Sequence, residues 1–295
     1  MPKESQEERE HMTDNSSRRT FLKSAGVAVG ASLAAAIPAI ASAEETNRSL
    51  QVWSCGGLAE AMMPANARFF EKNATHIVYT GAFAGALGKS LLGGSAQTEV
   101  FAPRVLELAQ KLKAQGKMLH YVPLCFTRYV LVTPKGNPAG IETLADLKQK
   151  HVKTVLIPDA SPPGGKASMA ILKKAGVLDE AVKNAVAKGD CVQTSLPDIV
   201  SGKGDVAVVE YRLAQLPLFK DKVEVIDIPE IYYPPAPVSF TIGPMKWAKD
   251  RELAEEYIHY ILSGEGQAFF ASAGFIPARS ELGERLTLKY GVKDA

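Results

Sequence analysis

Few cysteines and a nearly balanced charge set the first limits on this sequence. Its 295 residues include 34 basic and 32 acidic side chains, and the net charge of +2 is too weak to indicate nucleic acid or an anionic membrane as a partner. Cys55, Cys125 and Cys191 permit at most one intramolecular disulfide and lack the close spacing of a zinc or redox site. After residue 43, no run is long and apolar enough to span a bilayer.

Motifs for catalysis are also missing. The sequence contains no Gly-x-Ser-x-Gly elbow, no His-Glu-x-x-His pair and no evident catalytic triad. The stretch Gly85–Ser90 is similar to a phosphate-binding loop, but Phe83 occupies the place of its first glycine. The histidines lie far apart, which argues against a histidine metal site. We therefore expect a protein that is not an enzyme and that carries no cofactor.

The pattern of residues near the N-terminus predicts an export signal. Ser17–Lys23, with its two adjacent arginines, precedes an uncharged, alanine-rich segment at 24–42, the pattern of a twin-arginine signal. Ala41, Ser42 and Ala43 form a small-residue cleavage site, so residues 1–43 are predicted to be removed after Ala43. An uncleaved anchor helix is the alternative. The pattern predicts export through the Tat translocase, followed by a soluble life in the periplasm.

In the remaining chain, strand-length apolar runs alternate with amphipathic segments of helix length, which indicates an α/β fold. Strands are predicted at 49–53, 76–79, 99–102, 118–122, 129–133, 153–158, 191–194, 206–209 and 238–242. Helices are predicted at 58–72, 84–92, 103–116, 144–150, 164–175, 197–201, 249–262 and 264–273, with Pro103 in the first turn of its helix.

This alternation restarts near residue 144, so we expect two lobes about a hinge. Lobe I is predicted to comprise residues 44–126 and 236–295, and lobe II residues 127–235. Ligands of open α/β sheets bind at the carboxyl ends of the strands. The turns after Trp53, Gly81, Asp159 and Val209 should therefore line a cleft.

Three of these turns consist largely of small residues: Ser54–Gly57, Gly81–Ala86 and Ser161–Gly165. Small residues at helix N-termini leave backbone N–H groups accessible at the positive end of the helix dipole. Such turns can hold a small anion without a cationic side chain. The composition therefore predicts a site for an anion or another small ligand.

The order of these motifs resembles that of the periplasmic molybdate-binding proteins, the receptors of molybdate and tungstate ABC importers. The resemblance rests on Trp53–Met62, Gly81–Leu87, Gly94–Phe101, Leu131–Pro138, Thr143–Leu147, Asp159–Lys166, Val206–Tyr211 and Gly274–Pro277. It implies a two-lobed type II periplasmic-binding-protein fold, in which each lobe is a mixed sheet flanked by helices and the ligand lies between the lobes. We expect a monomer that delivers a small oxyanion to an ABC transporter permease.

The resemblance also suggests where the ligand binds, although several of the family's side chains are replaced. Gly57 occupies the position of the family's serine in the first turn, and Ala84 or Gly85 occupies the position of its serine in the second turn. Glu210 occupies the position of the family's ligand-binding tyrosine, and Tyr211 follows one residue later. Ser54, Cys55 or Tyr211 could supply the lost donors. The ligand-binding candidates are Ser54, Cys55, Gly56, Gly57, Ala84, Gly85, Arg128, Pro163, Gly164, Gly165, Val192, Glu210 and Tyr211.

Glu210 leaves two interpretations open, because a carboxylate repels an oxyanion unless it is protonated or paired. It could form a salt bridge with Arg128 or Arg212, or it could bind a cation. With Cys55 and Cys191 it would form a soft-metal site, although small buried thiols are the simpler interpretation. The primary prediction is a molybdate- or tungstate-like ligand. The alternative is a metal ion or other small ligand bound through Glu210 and Cys55, which would suit an accessory protein of an exported metalloenzyme.

Overall fold

Two mixed β-sheets organise the part of the chain that the computed structural model describes, namely residues 48–157, 164–188, 192–234 and 238–292. The predicted signal segment and its cleavage site lie outside these ranges. The strands are β1 (Arg48–Cys55), β2 (Thr75–Ala82), β3 (Val100–Ala102), β4 (Val122–Phe126), β5 (Tyr129–Pro134), β6 (Thr154–Leu156), β7 (Ala185–Lys188), β8 (Val206–Glu210), β9 (Val223–Asp227), β10 (Ser239–Pro244) and β11 (Ile276–Pro277).

Helices flank both sheets. They are α1 (Ala59–Asn73), α2 (Ala84–Gly93), α3 (Leu106–Ala114), α4 (Gly164–Lys174), α5 (Leu178–Lys183), α6 (Val192–Val200), α7 (Tyr211–Ala214), α8 (Arg251–Leu262), α9 (Gly264–Ser272) and α10 (Glu281–Tyr290). Short 3₁₀ turns lie at Gly56–Leu58, Leu144–Lys148 and Glu230–Tyr232.

The first sheet has the order β11-β4-β10-β3-β1-β2, and the second has the order β7-β6-β8-β5-β9. In the first sheet β1 pairs in parallel with β2 and β3, whereas β10 runs antiparallel to β3 and β4. In the second sheet β6 is parallel to β7 and β8, and β5 is antiparallel to β8 and β9. The chain thus passes into the second sheet between β4 and β5 and returns to the first between β9 and β10.

Apolar side chains at helical spacing join α1 to the first sheet. Met62, Ala65 and Phe69 are fully buried, and the Phe69 ring meets Tyr257 of α8 edge-on at 5.3 Å between centroids. Together with Leu58, which is also fully buried, they recur at the three- to four-residue spacing of one helix face. The core of the second sheet is built in the same way, with β5 and β8 covered by α4 and α6 on opposite faces.

The α/β class with two mixed sheets is confirmed, but three local predictions are wrong. Pro103 does not begin a helix: α3 starts at Leu106, because Arg104 forms an isolated bridge with Phe240 first. The strand predicted at 118–122 is displaced: Met118 makes only an isolated bridge with Met245, and β4 begins at Val122. Residues 192–194 open helix α6, so the β-branched composition there was overridden by tertiary context.

Some elements were not anticipated at all. The strands at 185–188 and 223–227 complete the two edges of the second sheet, and α10 follows the last predicted helix. Within the described ranges, no helix is long and apolar enough to cross a membrane.

Gly243 provides a test of the packing in the first sheet. A Cβ atom at this position would lie 2.0 Å from the backbone oxygen of His120, whereas nothing lies within 4 Å of a Cβ added at Gly264. We expect Gly243→Ala to lower the free energy of unfolding by about 1–3 kcal/mol or more, because backbone cannot yield as a side chain does. Urea denaturation followed by circular dichroism measures the loss. Gly264→Ala is the matched control, and an equal effect of both variants would contradict the packing.

Candidate functional site

The site is centred on a buried carboxylate at the end of β8. Glu210 is 0 % exposed. Its Oε1 lies 2.6 Å from Nη2 of Arg104, and its Oε2 accepts a hydrogen bond of 2.8 Å from Nε of Arg212. Both arginine side chains are themselves nearly buried, at 4 % and 6 % exposure. Two guanidinium groups therefore converge on one carboxylate in the interior.

These contacts connect the two sheets. Arg104 follows β3 of the first sheet, while Glu210 ends β8 of the second. Arg104 also donates to the hydroxyl of Tyr129 at 3.1 Å and lies 5.4 Å from the ring centroid of Phe240. Its side chain is thus held by groups from both sheets.

The backbone next to Arg104 is strained. Val105 has φ = 71° and ψ = 129°, a conformation that a β-branched residue rarely adopts. Its N–H donates to the carbonyl of Ser239 at 3.2 Å, which holds the bend in place. Since strained residues persist only where their surroundings determine them, the bend follows from placing Arg104 in the interior.

The arginines determine the ionisation of Glu210. Burial acts to raise the pKa of this carboxyl group, but the charges of Arg104 and Arg212 outweigh burial and lower the pKa below its ordinary value of 4.5. For Arg104, burial acts to lower the pKa and the carboxylate of Glu210 reverses this, so the net direction is upward. The cluster is therefore fully charged at neutral pH.

Arg212 also reaches the first glycine-rich turn. A Cβ atom at Gly57 would lie 2.9 Å from Nη2 of Arg212, so the guanidinium occupies the space that a side chain at position 57 would need. Nη1 lies 3.5 Å from Oε1 of Glu60 and makes no hydrogen bond within the described part of the chain. The guanidinium of Arg212 therefore places Nη2 at the turn, while its buried Nη1, which has unused hydrogen-bonding capacity, faces the carboxylate of Glu60.

The side chains of Ser54 and Cys55 in this turn are buried. The Ser54 hydroxyl is fully buried, donates to the carbonyl of Cys55 at 2.9 Å and lies 2.6 Å from the hydroxyl of Tyr79. Burial raises the pKa of the Cys55 thiol, an effect that Arg104 and the Gly57 N–H only partly oppose. Ser54 and Cys55 are thus engaged in the protein interior.

The remaining small-residue turns do begin helices. Ala84 and Gly85 are the first residues of α2, Gly164 and Gly165 begin α4, and Val192 begins α6. A Cβ atom at Gly56 would lie 3.5 Å from the carbonyl oxygen of Ala82, so the first two turns are adjacent. In α2 the N–H groups of Ala86 and Leu87 donate to the carbonyl of Phe83, so those of Ala84 and Gly85 are the ones that could donate to an anion. Pro163 and Cys191 lie outside the described residues.

Arg128 and Tyr211 form a separate pair. The guanidinium of Arg128 stacks on the Tyr211 ring at 3.8 Å from its centroid and forms a salt bridge with Asp227. The salt-bridge interpretation of Glu210 therefore agrees with the contact to Arg212, whereas Arg128 has a different partner.

The described residues give little support for a metal site. Among the described residues there is no group of three or more His, Cys, Asp or Glu side chains able to hold a metal ion. Both described cysteines, Cys55 and Cys125, are buried free thiols, and burial raises the pKa of each.

Sequence reasoning missed Arg104 altogether and considered Arg212 only as a possible partner of Glu210. A usable signal for Arg104 was its position, because it follows a predicted strand at the end where ligands bind. Nothing in the sequence signalled the strained backbone at Val105. Nor did it signal that the Arg212 guanidinium fills the space beside Gly57.

The two mixed sheets, joined by two crossings and with charged groups and helix N-termini where strands end, define a two-lobed binding protein. The family model for bacterial extracellular solute-binding proteins matches residues 50–276, and the chain belongs to this family. It is a solute-binding protein rather than an enzyme.

Individual relatives agree with this assignment. YvgL of Bacillus subtilis, named as an ABC transporter substrate-binding lipoprotein, is 26% identical over 212 residues, which are 70% of this chain and 78% of the relative. A structure assigned as the substrate-binding domain of a molybdenum ABC transporter from Clostridium difficile has a TM-score of 0.69 at 18% identity and covers 78% of this chain and 99% of its own. The periplasmic molybdate-binding protein of Azotobacter vinelandii has a TM-score of 0.63 at 19% identity, with 77% and 98% coverage. At these identities the structures show the shared fold.

The ion-pair cluster predicts a specific stability defect. Glu210→Gln removes the carboxylate and leaves buried arginine charge uncompensated, which we expect to lower the free energy of unfolding by about 3–5 kcal/mol at pH 7. The folded-state pKa of Glu210 is lowered, so its stabilisation is present above about pH 4.5 and is lost as the pH falls through the folded value. The difference between the variant and the wild type should therefore shrink in acid.

Chemical denaturation between pH 3 and 7 measures both effects. Glu142→Gln, at an exposed glutamate, is the matched control and should change stability little. A Glu210→Gln variant as stable as this control at pH 7 would contradict the cluster.

Proposed function

We propose that this protein captures a tetrahedral oxyanion, with molybdate and tungstate as first candidates, and presents it to the permease of an ABC transporter. The observation that carries the proposal is the guanidinium of Arg212 at the Gly57 turn. It places a buried cationic donor where the sequence lacks the serine hydroxyl expected from the molybdate-binding resemblance. A charge-assisted hydrogen bond is stronger than the neutral one it replaces.

The surrounding groups support an anion. The N-termini of α1, preceded by its 3₁₀ turn, and of α2 are adjacent at this point. Glu210 does not repel an oxyanion as an isolated carboxylate would, because Arg104 and Arg212 neutralise it. The relatives named for molybdenum or molybdate transport support the same choice of cargo and the same kind of transporter.

A metal cargo bound through Glu210 and Cys55 has weaker support. A cation at Glu210 would have to displace a guanidinium group, and the Cys55 thiol is held in its protonated form by burial.

The proposal includes export by the twin-arginine route and removal of residues 1–43. It also includes two lobes, one formed by residues 44–126 and 236–295 and the other by residues 127–235. Action as a periplasmic monomer belongs to it as well.

Calorimetric titration with molybdate, tungstate and sulfate tests the cargo. We expect Arg212→Met to weaken oxyanion binding by about tenfold to a hundredfold, the equivalent of one charge-assisted hydrogen bond. Arg212→Lys should restore part of the affinity, because it returns the charge without the planar fork. The exposed Arg48, paired with Asp250, supplies the matched control Arg48→Met, which should bind as the wild type does.

Thermal melting of each variant separates lost binding from lost folding. The same melts, run with divalent metal ions, test the alternative cargo, since any bound ligand raises the melting temperature. Stabilisation by a metal ion together with no response to any oxyanion would show that the proposed cargo is wrong.

A further inference from the structure

A large cavity lies beside the ion-pair cluster. Its volume is about 830 Å³, and its walls come from α2, α3 and the first turn of α4. Ala84, Gly85 and Arg104 line it, so it reaches the adjacent helix N-termini and the edge of the cluster. Cavities of this size accommodate organic molecules with several carbon atoms.

The cavity is much larger than a bare oxyanion needs. Five heavy atoms, each allotted the volume of a water molecule in the liquid, fill roughly 150 Å³. Most of the cavity would then remain without ligand contacts. The space therefore fits a ligand with a further part beyond its anionic group.

The walls are mainly apolar. Phe83, Leu92, Val105 and Leu108 line the cavity, and Phe83 is 57 % exposed despite its aromatic ring. Gly88 sets the spacing of the two helices, because a Cβ atom there would lie 2.7 Å from a methyl carbon of Leu108. Aromatic and aliphatic walls of this kind bind hydrocarbon, not inorganic ions.

The charged groups around the cavity are mostly basic. Lys89, Lys111 and Lys166 line it together with Arg104, against Glu107 as the acidic side chain among its described lining residues. Lysines on both α2 and α3, and on α4 opposite, attract an anion and leave the apolar wall between them.

We propose that the cargo is an organic oxyanion, a phosphonate or sulfonate group carried on a hydrocarbon body. The oxyanion group binds beside Arg212 and the helix N-termini. Arg212 does not itself line the cavity, so the hydrocarbon body extends past Ala84 and Arg104, which do line it, toward Phe83 and Leu108. This inference rests on the proposed function, because it uses the same oxyanion position and adds the part of the ligand that fills the remaining space.

Calorimetric titration of the whole protein with phenylphosphonate and benzenesulfonate, beside inorganic phosphate, sulfate and molybdate, tests the inference. We expect the two organic ions to bind at least about tenfold more tightly than their inorganic counterparts. Phe83→Ala should weaken phenylphosphonate binding at least about fivefold, the scale of a lost aromatic contact, and should weaken inorganic oxyanion binding by a smaller factor.

Phe70→Ala is the matched control, because Phe70 is 42 % exposed on α1 and does not line the cavity. Melting curves establish that both variants fold. Equal affinity for organic and inorganic oxyanions, or organic binding unaffected by Phe83→Ala, would overturn the inference and leave the proposed function intact. Binding of no oxyanion of either kind would overturn both.

Discussion

The interaction on which the rest of this structure depends is the contact of one buried carboxylate with two arginines from different parts of the chain. Glu210 ends a strand of the second sheet, and Arg104 follows a strand of the first. Because a charge cannot be buried without compensation, these groups must meet. The bend at Val105 and the late start of α3 both follow from that requirement.

The same interaction determines which charge of ligand the site can accept. A neutralised Glu210 removes the repulsion that a free carboxylate would exert on an anion, and Arg212 retains a donor beyond its bond to Glu210. Glu60, partly exposed, lies near that donor at 3.5 Å. A bound oxyanion would then compete with Glu60 for Arg212, and not with Glu210. Its binding would leave the ion pairs of Glu210 with Arg104 and Arg212 intact.

The general architecture could be predicted from the sequence because it follows from patterns along the chain. The spacing of Met62, Ala65 and Phe69 predicts the buried face of α1, and the restart of the alternation near residue 144 corresponds to the second sheet. Strand composition alone failed at 192–194, where neighbouring structure favours a helix. Short edge strands such as 185–188 leave too little periodicity to detect.

The site was less predictable because it depends on contacts between distant residues. The glycine-rich turns were recognisable, and Glu210 was singled out correctly as a charge that needs a partner. The identity of its partners was a matter of three-dimensional placement, as the different surroundings of Arg104 and Arg128 show. No local pattern distinguishes an arginine in the interior from one stacked on a half-buried tyrosine.

The closeness of Arg212 to Gly57 also limits how such a protein can change over generations. A serine at position 57 and an arginine at position 212 would claim the same volume, since even a Cβ would lie 2.9 Å from the guanidinium. A serine at position 57 would therefore require the Arg212 guanidinium to shift. Among descendants of a common ancestor, a change at one of the two positions should favour a change at the other.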